Sequence, residues 1–352
     1  MAIDETALNA FIDRAVTELS ASVSAPLILV GDRLGLYKAM ASAGPLTPDQ
    51  LAETTGTTER YVREWLCNQA ASGYATYDPA AGTFTLTDEA AFCLADEESP
   101  VFLPGAYQLI SAMMHDEPAI SAAFRTGEGV GWHEHYEELY PGTERFFRPG
   151  YNANLVSSWL PALDGVVERL TAGGLVADVG CGHGASTIIL AQSFPNSRFA
   201  GFDYHAASID TARKRATEAG VADRVTFEVA SAADYPGASY DLVGFFDSLH
   251  DMGDPVAAAS HVLDSLRPDG TFLLVEPYAG DRIEDNLNPV GRIFYAGSTM
   301  VCTPASRAQA GQAALGAQAG EARLRDVALT AGFTRFRRAT ETPFNLIFEA
   351  RP

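Results

Sequence analysis

Leu175-Val-Ala-Asp-Val-Gly-Cys-Gly-His-Gly-Ala-Ser-Thr-Ile-Ile-Leu190 is the stretch that decides the fold. A short apolar run is broken by glycines at Gly180, Gly182 and Gly184, and the apolar spacing after them is typical of a helix. Glycines at such a strand–helix joint permit a sharp turn and let a ligand approach the backbone. A second strand ends at Asp203, where a carboxylate can accept both hydroxyls of a ribose. The stretch therefore predicts the nucleoside-binding half of an α/β domain.

Asp178 lies inside the first of these strands, two residues before Gly180. The glycine pattern also fits a dinucleotide-binding fingerprint, so the glycines by themselves do not identify the ligand. A pyrophosphate at a helix N-terminus is disfavoured by a nearby carboxylate, whereas an ammonium group is favoured there. We therefore expect a ligand with an ammonium group and a ribose, and without a phosphate.

The pattern Asp178-x-Gly180-x-Gly182-x-Gly184, together with Asp203, resembles the class I S-adenosylmethionine-dependent methyltransferases. The order of predicted elements resembles that family over residues 145–352, with strands at 175–179, 198–203, 225–229, 241–246, 271–275, 333–338 and 344–350. The last two strands can pair only as a hairpin, which indicates an antiparallel final strand. The resemblance implies an α/β fold with a Rossmann-like, seven-stranded methyltransferase sheet, and S-adenosyl-L-methionine as the cofactor.

The first part of the chain is predicted to be a mostly helical winged-helix domain. Apolar spacing predicts a helix over residues 3–20, and a capped helix begins after Thr47. A further helix at 58–73 and alternating strands at 75–77 and 83–87 complete the pattern. This unit resembles the winged-helix dimerisation domain that precedes the catalytic domain in many small-molecule O-methyltransferases, and the resemblance implies a homodimer.

The winged helix leaves two functions open. Arg60 and Arg63 lie where a DNA-binding domain has its recognition helix, but Glu59 and Glu64 offset their charge. The chain has 24 basic and 45 acidic residues, a net charge of −21, which should repel nucleic acid and anionic membranes. We favour dimerisation and expect neither nucleic acid nor a membrane as a partner. The alternative is a transcriptional regulator that binds S-adenosylmethionine or a metabolite as its effector.

A chain of 352 residues predicts about two domains. We expect the winged-helix dimerisation domain at 1–98, a linking helical segment over the active site at 99–150, and the S-adenosylmethionine-binding methyltransferase domain at 151–352. No apolar run reaches the roughly 18 residues of a membrane span, and the N-terminus is acidic rather than basic as in a signal peptide. The four cysteines lie far apart and form no disulfide framework, so we expect a cytoplasmic location.

The segment after the fourth predicted strand contains the candidate catalytic histidine. Leu249-His250-Asp251-x-x-Asp254 resembles a segment of plant-type and bacterial small-molecule O-methyltransferases whose histidine is the general base. A histidine suits that role because its pKa lies near neutrality and a hydroxyl acceptor must lose a proton. Met252 stands where those enzymes have tryptophan. Asp251 and Glu276 are the candidates for the acid that orients His250.

The resemblance also implies which residues bind the two substrates. Cofactor contacts are expected from Tyr151, Asp178, Gly180, Cys181, Gly182, Asp203, Tyr204, Ser231, Ala232 and Asp247. Contacts with a small-molecule methyl acceptor are expected from His133, His135, Tyr278, Asn286 and Tyr295. We expect no resident metal, although a metal-assisted transfer through His133, His135, His250 and Asp251 stays open. The sequence does not identify the acceptor; oxygen is favoured, with nitrogen, sulfur and carbon as alternatives.

Overall fold

The computed structural model describes residues 3–352 and divides the chain into two compact units, of which the first ends at Ser111 and the second spans Ala112–Pro352. The first unit is mostly helical. Its elements are α1 Glu5–Arg33, α2 Leu36–Ala43, α3 Pro48–Thr55, α4 Glu59–Ala71, β1 Ala75–Asp78, β2 Thr83–Leu86 and α5 Asp88–Leu94. Helix α6, Pro104–Thr126, begins in the first unit and ends in the second.

Helices α3 and α4 and the antiparallel hairpin β1–β2 form the predicted winged helix. Thr47 starts α3 with a capping box, because its hydroxyl accepts from the Gln50 amide while the Gln50 side chain accepts from the Thr47 amide. Gly56 ends the helix in the left-handed conformation, at φ +64°. Leu51 of α3 and Leu66 of α4 are fully buried in the core of this unit. The predicted order of elements is therefore confirmed.

Helix α1 is longer than the sequence predicts. The apolar spacing predicts a helix over residues 3–20, whereas the helix continues to Arg33. The added turns bury Ala25, Ile28 and Leu29. Removing these apolar side chains from water stabilises the last turns of α1. The apolar spacing over residues 3–20 does not predict these turns, because their stability comes from tertiary packing.

The first half of α1 has a stripe of exposed apolar side chains. They are Leu8, Phe11, Ile12, Val16 and Leu19, each at least 40% exposed. Their spacing places them on one side of the helix. Among the residues that the structure describes, α1 is also the one helix with the length and composition to cross a membrane. Length and apolar composition are weak evidence for a membrane span, because the core helices of water-soluble proteins meet the same two criteria.

The second unit is built around one sheet. Its helices are α7 Leu139–Asn154, α8 Val166–Ala172, α9 Ala185–Ser193, α10 Ala206–Glu218, α11 Pro255–Ser265, α12 Pro289–Gly297, α13 Thr303–Arg307 and α14 Gly320–Thr330. Its strands are β3 Leu175–Val179, β4 Arg198–Asp203, β5 Val225–Val229, β6 Tyr240–Phe246, β7 Leu266–Pro277, β8 Arg335–Glu341 and β9 Asn345–Arg351. Short 3₁₀ turns include Trp132–Glu134 and Leu249–Asp251, and Ser298–Cys302 is a π-helical turn.

The seven strands pair in the order β5-β4-β3-β6-β7-β9-β8. Strands β3 to β7 run parallel to one another, and β9 is antiparallel to both of its neighbours, β7 and β8. All seven residues of β6 are buried, as expected for a central parallel strand covered on both faces. This topology confirms the Rossmann-like methyltransferase sheet with its antiparallel last strand.

Several strand boundaries in the sheet differ from the prediction, and the largest difference is at the start of β7. The sequence Arg267-Pro-Asp-Gly270 is typical of a turn, after which the predicted strand begins at Thr271, but β7 begins at Leu266. Leu266 pairs with Tyr240, and the register then shifts before Leu242 pairs with Thr271. The residues of the expected turn therefore form an irregularity inside the strand rather than a break before it.

Candidate active site

Carboxylates gather at one edge of the sheet. Strands β3, β4, β6 and β7 are parallel, so their carboxyl-terminal ends meet at the same edge. The acidic residues at or just after these ends are Asp178, Asp203, Asp247, Asp251 and Glu276. Asp178 and Glu276 are each 1% exposed. Buried negative charge at this density favours a cationic ligand and opposes a phosphate.

The loop between β3 and α9 leaves room for a ligand at the backbone. Gly180 and Gly182 have φ of +74° and +51°, a conformation that favours glycine. A Cβ atom on Gly180 would lie 2.7 Å from the Cβ of Ser248, whereas one on Gly182 would have no heavy atom within 4 Å. Cys181 between them is buried, and burial raises the pKa of its thiol. The side chain of Ser248 therefore fills the space beside Gly180, whereas the space beside Gly182 is free for a ligand.

Asp203, at the end of β4, is fixed by backbone amides. The amide of Gly182 donates to Oδ2 at 3.0 Å, and the amide of His205 donates to Oδ1 at 2.8 Å. Burial raises the pKa of the Asp203 carboxyl, and the two amide hydrogen bonds act in the opposite direction. Each oxygen keeps a lone pair, so the carboxylate can still accept the hydroxyls of a ribose.

Asp178 has one satisfied and one open oxygen. Its Oδ2 accepts from the hydroxyls of Ser186 and Thr187 at 2.5 and 2.6 Å, both in the first turn of α9. Its Oδ1 is buried without a hydrogen-bond partner among the protein atoms. Burial raises the pKa of Asp178 to about 6. A positive group near Oδ1 would favour the ionised carboxylate.

The other predicted cofactor residues on this side lie next to Asp203. Ser231 and Ala232 follow β5, in a loop that begins where the Ala230 amide donates to the Asp203 carbonyl at 3.1 Å. Tyr204 directly follows Asp203 and is 44% exposed. The structure therefore brings these residues to one end of the sheet, where β4 and β5 end.

Asp247, just after β6, is held by two side chains. Its backbone has φ of +52°, which is uncommon for a residue with a Cβ atom. Its Oδ2 accepts from the Tyr151 hydroxyl at 2.8 Å, and its Oδ1 accepts from the Asn345 amide at 2.9 Å. Burial and then the Glu276 carboxylate raise the pKa of Asp247 to about 8. Sequence reasoning missed Asn345, which lies 98 residues away from Asp247.

His250 and Glu276 form a buried pair. The Nδ1 atom of His250 lies 2.6 Å from Oε2 of Glu276, and the amide of Leu249 donates to Oε1 of Glu276 at 3.1 Å. The two side chains are 4% and 1% exposed. Burial lowers the pKa of His250, but the carboxylates of Glu276 and Asp251 outweigh that effect and raise it well above its usual value. Of the two candidate acids, Glu276 is thus the one on Nδ1.

The other nitrogen of His250 faces Asp251 and a thiol. Its Nε2 lies 3.2 Å from Oδ1 of Asp251. Cys302, at the end of the π-helical turn, is 8% exposed, and burial raises the pKa of its thiol to about 12. The donor atoms of these three side chains lie within 4.8 Å of one another, the one such group that the described residues form. Sequence reasoning missed Cys302, because an isolated cysteine carries no spacing signal.

His135 and His133 have different surroundings. The Nδ1 atom of His135 lies 2.8 Å from Oδ2 of Asp116 on α6, and its side chain is 1% exposed. The Nε2 atom of His135 is buried without a partner among the protein atoms. His133 is exposed. Among the residues that the structure describes, neither histidine joins His250 and Asp251 in a group close enough to share a metal ion. Asp116 is a partner of His135 that sequence reasoning missed.

The remaining acceptor candidates lie between β7 and α14. Tyr278 and Tyr295 are half-buried. Asn286 is buried, and its Oδ1 accepts from the Gly280 amide at 2.8 Å. Its Nδ2 donates to the carbonyls of Gly280 and Arg282 at 2.9 and 3.0 Å. The side chain of Asn286 thus holds its own loop together, and its contact with an acceptor stays a prediction.

Two family models match this chain. Residues 170–322 match the model of a methyltransferase domain, and residues 22–96 match the model of the Rv2258c-like winged HTH domain. The chain joins a winged helix-turn-helix domain to a methyltransferase domain. In open α/β sheets of this kind, ligands bind at the carboxyl ends of the parallel strands.

Curated relatives of this methyltransferase domain match about a third of the chain. The 27-O-demethylrifamycin SV methyltransferase of Amycolatopsis mediterranei (strain S699) is 37% identical over 118 residues, 32% of this chain and 43% of that protein. The chain spans less than half the length of the curated relatives it matches.

Many solved structures match nearly the whole chain, including two methyltransferases. A mitomycin 7-O-methyltransferase has 21% identity and a TM-score of 0.70, covering 99% of this chain and 100% of its own. The human N-acetylserotonin methyltransferase, solved with S-adenosylmethionine, has 17% identity and a TM-score of 0.69, covering 97% of both chains. At these identities the likeness shows the fold, which is that of the class I S-adenosylmethionine-dependent methyltransferases.

Proposed function

We propose that this protein transfers a methyl group from S-adenosylmethionine to an oxygen of a small organic acceptor, with His250 as the general base. The observation that carries the proposal is the buried pair of His250 and Glu276, 2.6 Å apart, at the same sheet edge as the glycine loop. An enzyme that methylates a hydroxyl must remove its proton, and an oriented histidine meets that need.

The residues at this edge fit S-adenosylmethionine. Asp203 would accept the ribose hydroxyls, and the open position at Gly182 would let the nucleoside approach the backbone. Asp178 would supply negative charge for the ammonium group. A bound sulfonium would favour the ionised form of Asp247, whose pKa burial otherwise raises to about 8. When bound, this cofactor supplies a methyl group already activated by positive sulfur. A nicotinamide dinucleotide fits poorly, because its pyrophosphate would face the same carboxylates.

His250 would take the proton of the acceptor hydroxyl. Because Nδ1 faces the Glu276 carboxylate, the neutral ring carries its hydrogen on Nδ1 and its lone pair on Nε2. As the acceptor oxygen bonds to the methyl carbon, its O–H bond breaks and the proton moves to Nε2. The Glu276 and Asp251 carboxylates stabilise the imidazolium that results. Holding the acceptor oxygen in line with the methyl carbon supplies the rest of the rate enhancement.

The proposal of an oxygen acceptor draws on two similar proteins. Mitomycin 7-O-methyltransferase and 27-O-demethylrifamycin SV methyltransferase are both named for an oxygen position on a small organic molecule. For this chain we propose His135, Tyr278 and Tyr295 as residues of the acceptor pocket. The buried Nε2 of His135 supports its inclusion, because a buried ring nitrogen without a partner is costly unless a ligand hydrogen-bonds to it.

Calorimetry with the full chain tests the cofactor proposal. S-adenosylhomocysteine should bind with a micromolar or lower Kd, and NADH should not bind, because of the carboxylates at the glycine loop. Tight binding of NADH without binding of S-adenosylhomocysteine would instead indicate an oxidoreductase.

We further propose a homodimer that buries the apolar stripe of α1. Apolar side chains with this exposure lower the free energy of association when a second copy covers them. The double variant Phe11→Glu and Val16→Glu should sediment as a monomer. The matched double variant Ala10→Glu and Thr17→Glu, on the opposite side of the helix, should remain a dimer. A dimer that survives both double variants would contradict this interface.

The rival function, a DNA-binding regulator, is tested separately. Arg60 is ion-paired with Glu64 at 2.6 Å and Arg63 with Glu59, so α4 offers little free positive charge to phosphates. The protein should not retard duplex DNA at about 0.15 M salt. A salt-sensitive shift that disappears when both arginines are changed to alanine would favour the regulator.

A further inference from the structure

The cluster beside the base has an unusual arrangement of electron-pair donors. The Nδ1–H of His250 is directed at Glu276, so the neutral ring carries its lone pair on Nε2, and Oδ1 of Asp251 lies 3.2 Å from that nitrogen. That oxygen is buried without a hydrogen-bond partner, and the Sγ of Cys302 completes the group. A nitrogen lone pair and a carboxylate oxygen this close together are stabilised by a positive species, which is either a proton on Nε2 or a metal ion bound to both atoms.

We propose that His250, Asp251 and Cys302 form a binding site for a divalent transition-metal ion, with Zn²⁺ as the ion that suits the donors. The three donor atoms lie within 4.8 Å of one another, close enough to share one ion. One imidazole nitrogen, one carboxylate oxygen and one sulfur are the ligand types of zinc, whereas Mg²⁺ and Ca²⁺ take oxygen ligands. Three protein ligands leave a fourth position for water or another ligand.

Glu276 would orient the histidine ligand of this site through the ring nitrogen that does not bind the metal. A histidine that binds metal through one nitrogen usually donates the other N–H to a carboxylate, which fixes the tautomer and the ring orientation. Glu276 occupies that place on Nδ1 and is itself held by the Leu249 amide. Metal binding would break the S–H bond of Cys302, form the metal–sulfur bond and release the proton to water.

Occupation of the site would inhibit methyl transfer, a consequence that rests on the proposed function. The metal would use the Nε2 lone pair that His250 needs to accept the acceptor's proton. The metal-bound protein should therefore lose the base, and a chelator should restore it. The site itself does not depend on the reaction.

Cobalt(II) titration of the full chain tests the site without any acceptor. Wild-type protein should bind one equivalent and show the near-ultraviolet absorption of a thiolate–cobalt bond. Cys302→Ser should lose that band, and Cys67→Ser, which changes an exposed cysteine, should keep it. Absence of the band in the wild type, or its persistence in Cys302→Ser, would overturn the proposal. Binding of S-adenosylhomocysteine by each variant shows that it has folded.

Two further variants keep the test decisive if Cys302→Ser does not fold. Asp251→Asn should keep the thiolate band and weaken cobalt affinity, and Glu276→Gln should weaken it about 10–100-fold through the orientation of His250. Unchanged affinity in both would rule the site out. If cobalt binds as described but the metal-free protein methylates no acceptor and binds no S-adenosylhomocysteine, the metal site stands and the proposed function fails.

Discussion

Replacing Glu276 with glutamine removes a negative charge 2.6 Å from Nδ1 of His250 and keeps a hydrogen-bonding side chain. Burial lowers the pKa of His250, and the carboxylates of Glu276 and Asp251 more than offset it. Since Glu276 raises that pKa, its removal must lower it. An adjacent opposite charge shifts a pKa by about 1–3 units. That shift corresponds to about 1.4–4 kcal/mol of interaction with the imidazolium.

The assay is the single-turnover methylation rate from about pH 5.5 to 9, with a chelator present to keep metals from His250. The wild-type rate should rise with pH as Nε2 loses its proton. In Glu276→Gln the rise should move to lower pH by about 1–3 units, and the plateau should fall because the imidazolium is less stabilised. His250→Ala should lose about 10²–10⁴-fold of the rate and the pH step. Glu284→Gln, at an exposed carboxylate, should match the wild type.

A pH step that stays in place in Glu276→Gln would refute the reasoning, because it would mean that Glu276 does not set the protonation of the base. A rate for His250→Ala equal to wild type at every pH would remove His250 from the mechanism. That second result would fit an acceptor that is already anionic, or one that is a carbon or a thioether.

Two further predictions concern the carboxylates of the cofactor edge. Asp203→Asn should weaken S-adenosylhomocysteine binding about 10–100-fold in calorimetry, because a hydrogen bond to a charged group contributes about 1.5–3 kcal/mol; Asp210→Asn, at an exposed side chain, should bind normally. Tyr151→Phe should lower the free energy of unfolding in a denaturant titration by about 1–3 kcal/mol, since it leaves an oxygen of Asp247 without its donor. Tyr61→Phe, at an 80% exposed tyrosine, is the control; equal losses in both tyrosine variants would contradict this assignment.

The fold was predictable because its signals are local. A strand, a glycine turn and a helix occupy adjacent residues at 175–190, and the same alternation repeats along the second unit. The capping residue Thr47 and the hairpin after α4 are likewise short-range patterns. The end of α1 was not predictable in this way, since its last turns are stabilised by burial in a core rather than by their own sequence.

The site was predictable only in part. Asp178 and Asp203 lie at the ends of strands and His250 lies shortly after one, and these strand ends can be predicted from the sequence. Parallel strands bring such ends together. The partners from distant elements could not be read in that way. Asn345 on the last strand and Cys302 on a π-helical turn reach the site through tertiary packing, and neither has a motif around it.

The position of β9 also has a consequence for how the chain is made. It is the last strand of the sheet in chain order, yet it lies between β7 and β8 and brings Asn345 to Asp247. During synthesis the edge of β7 therefore stays without its partner until β9 leaves the ribosome. An open edge of a buried strand invites pairing with other chains, so a nascent chain stalled before Asn345 should aggregate or need a chaperone. Emergence of β9 would then close the sheet and complete the support of Asp247 in one step.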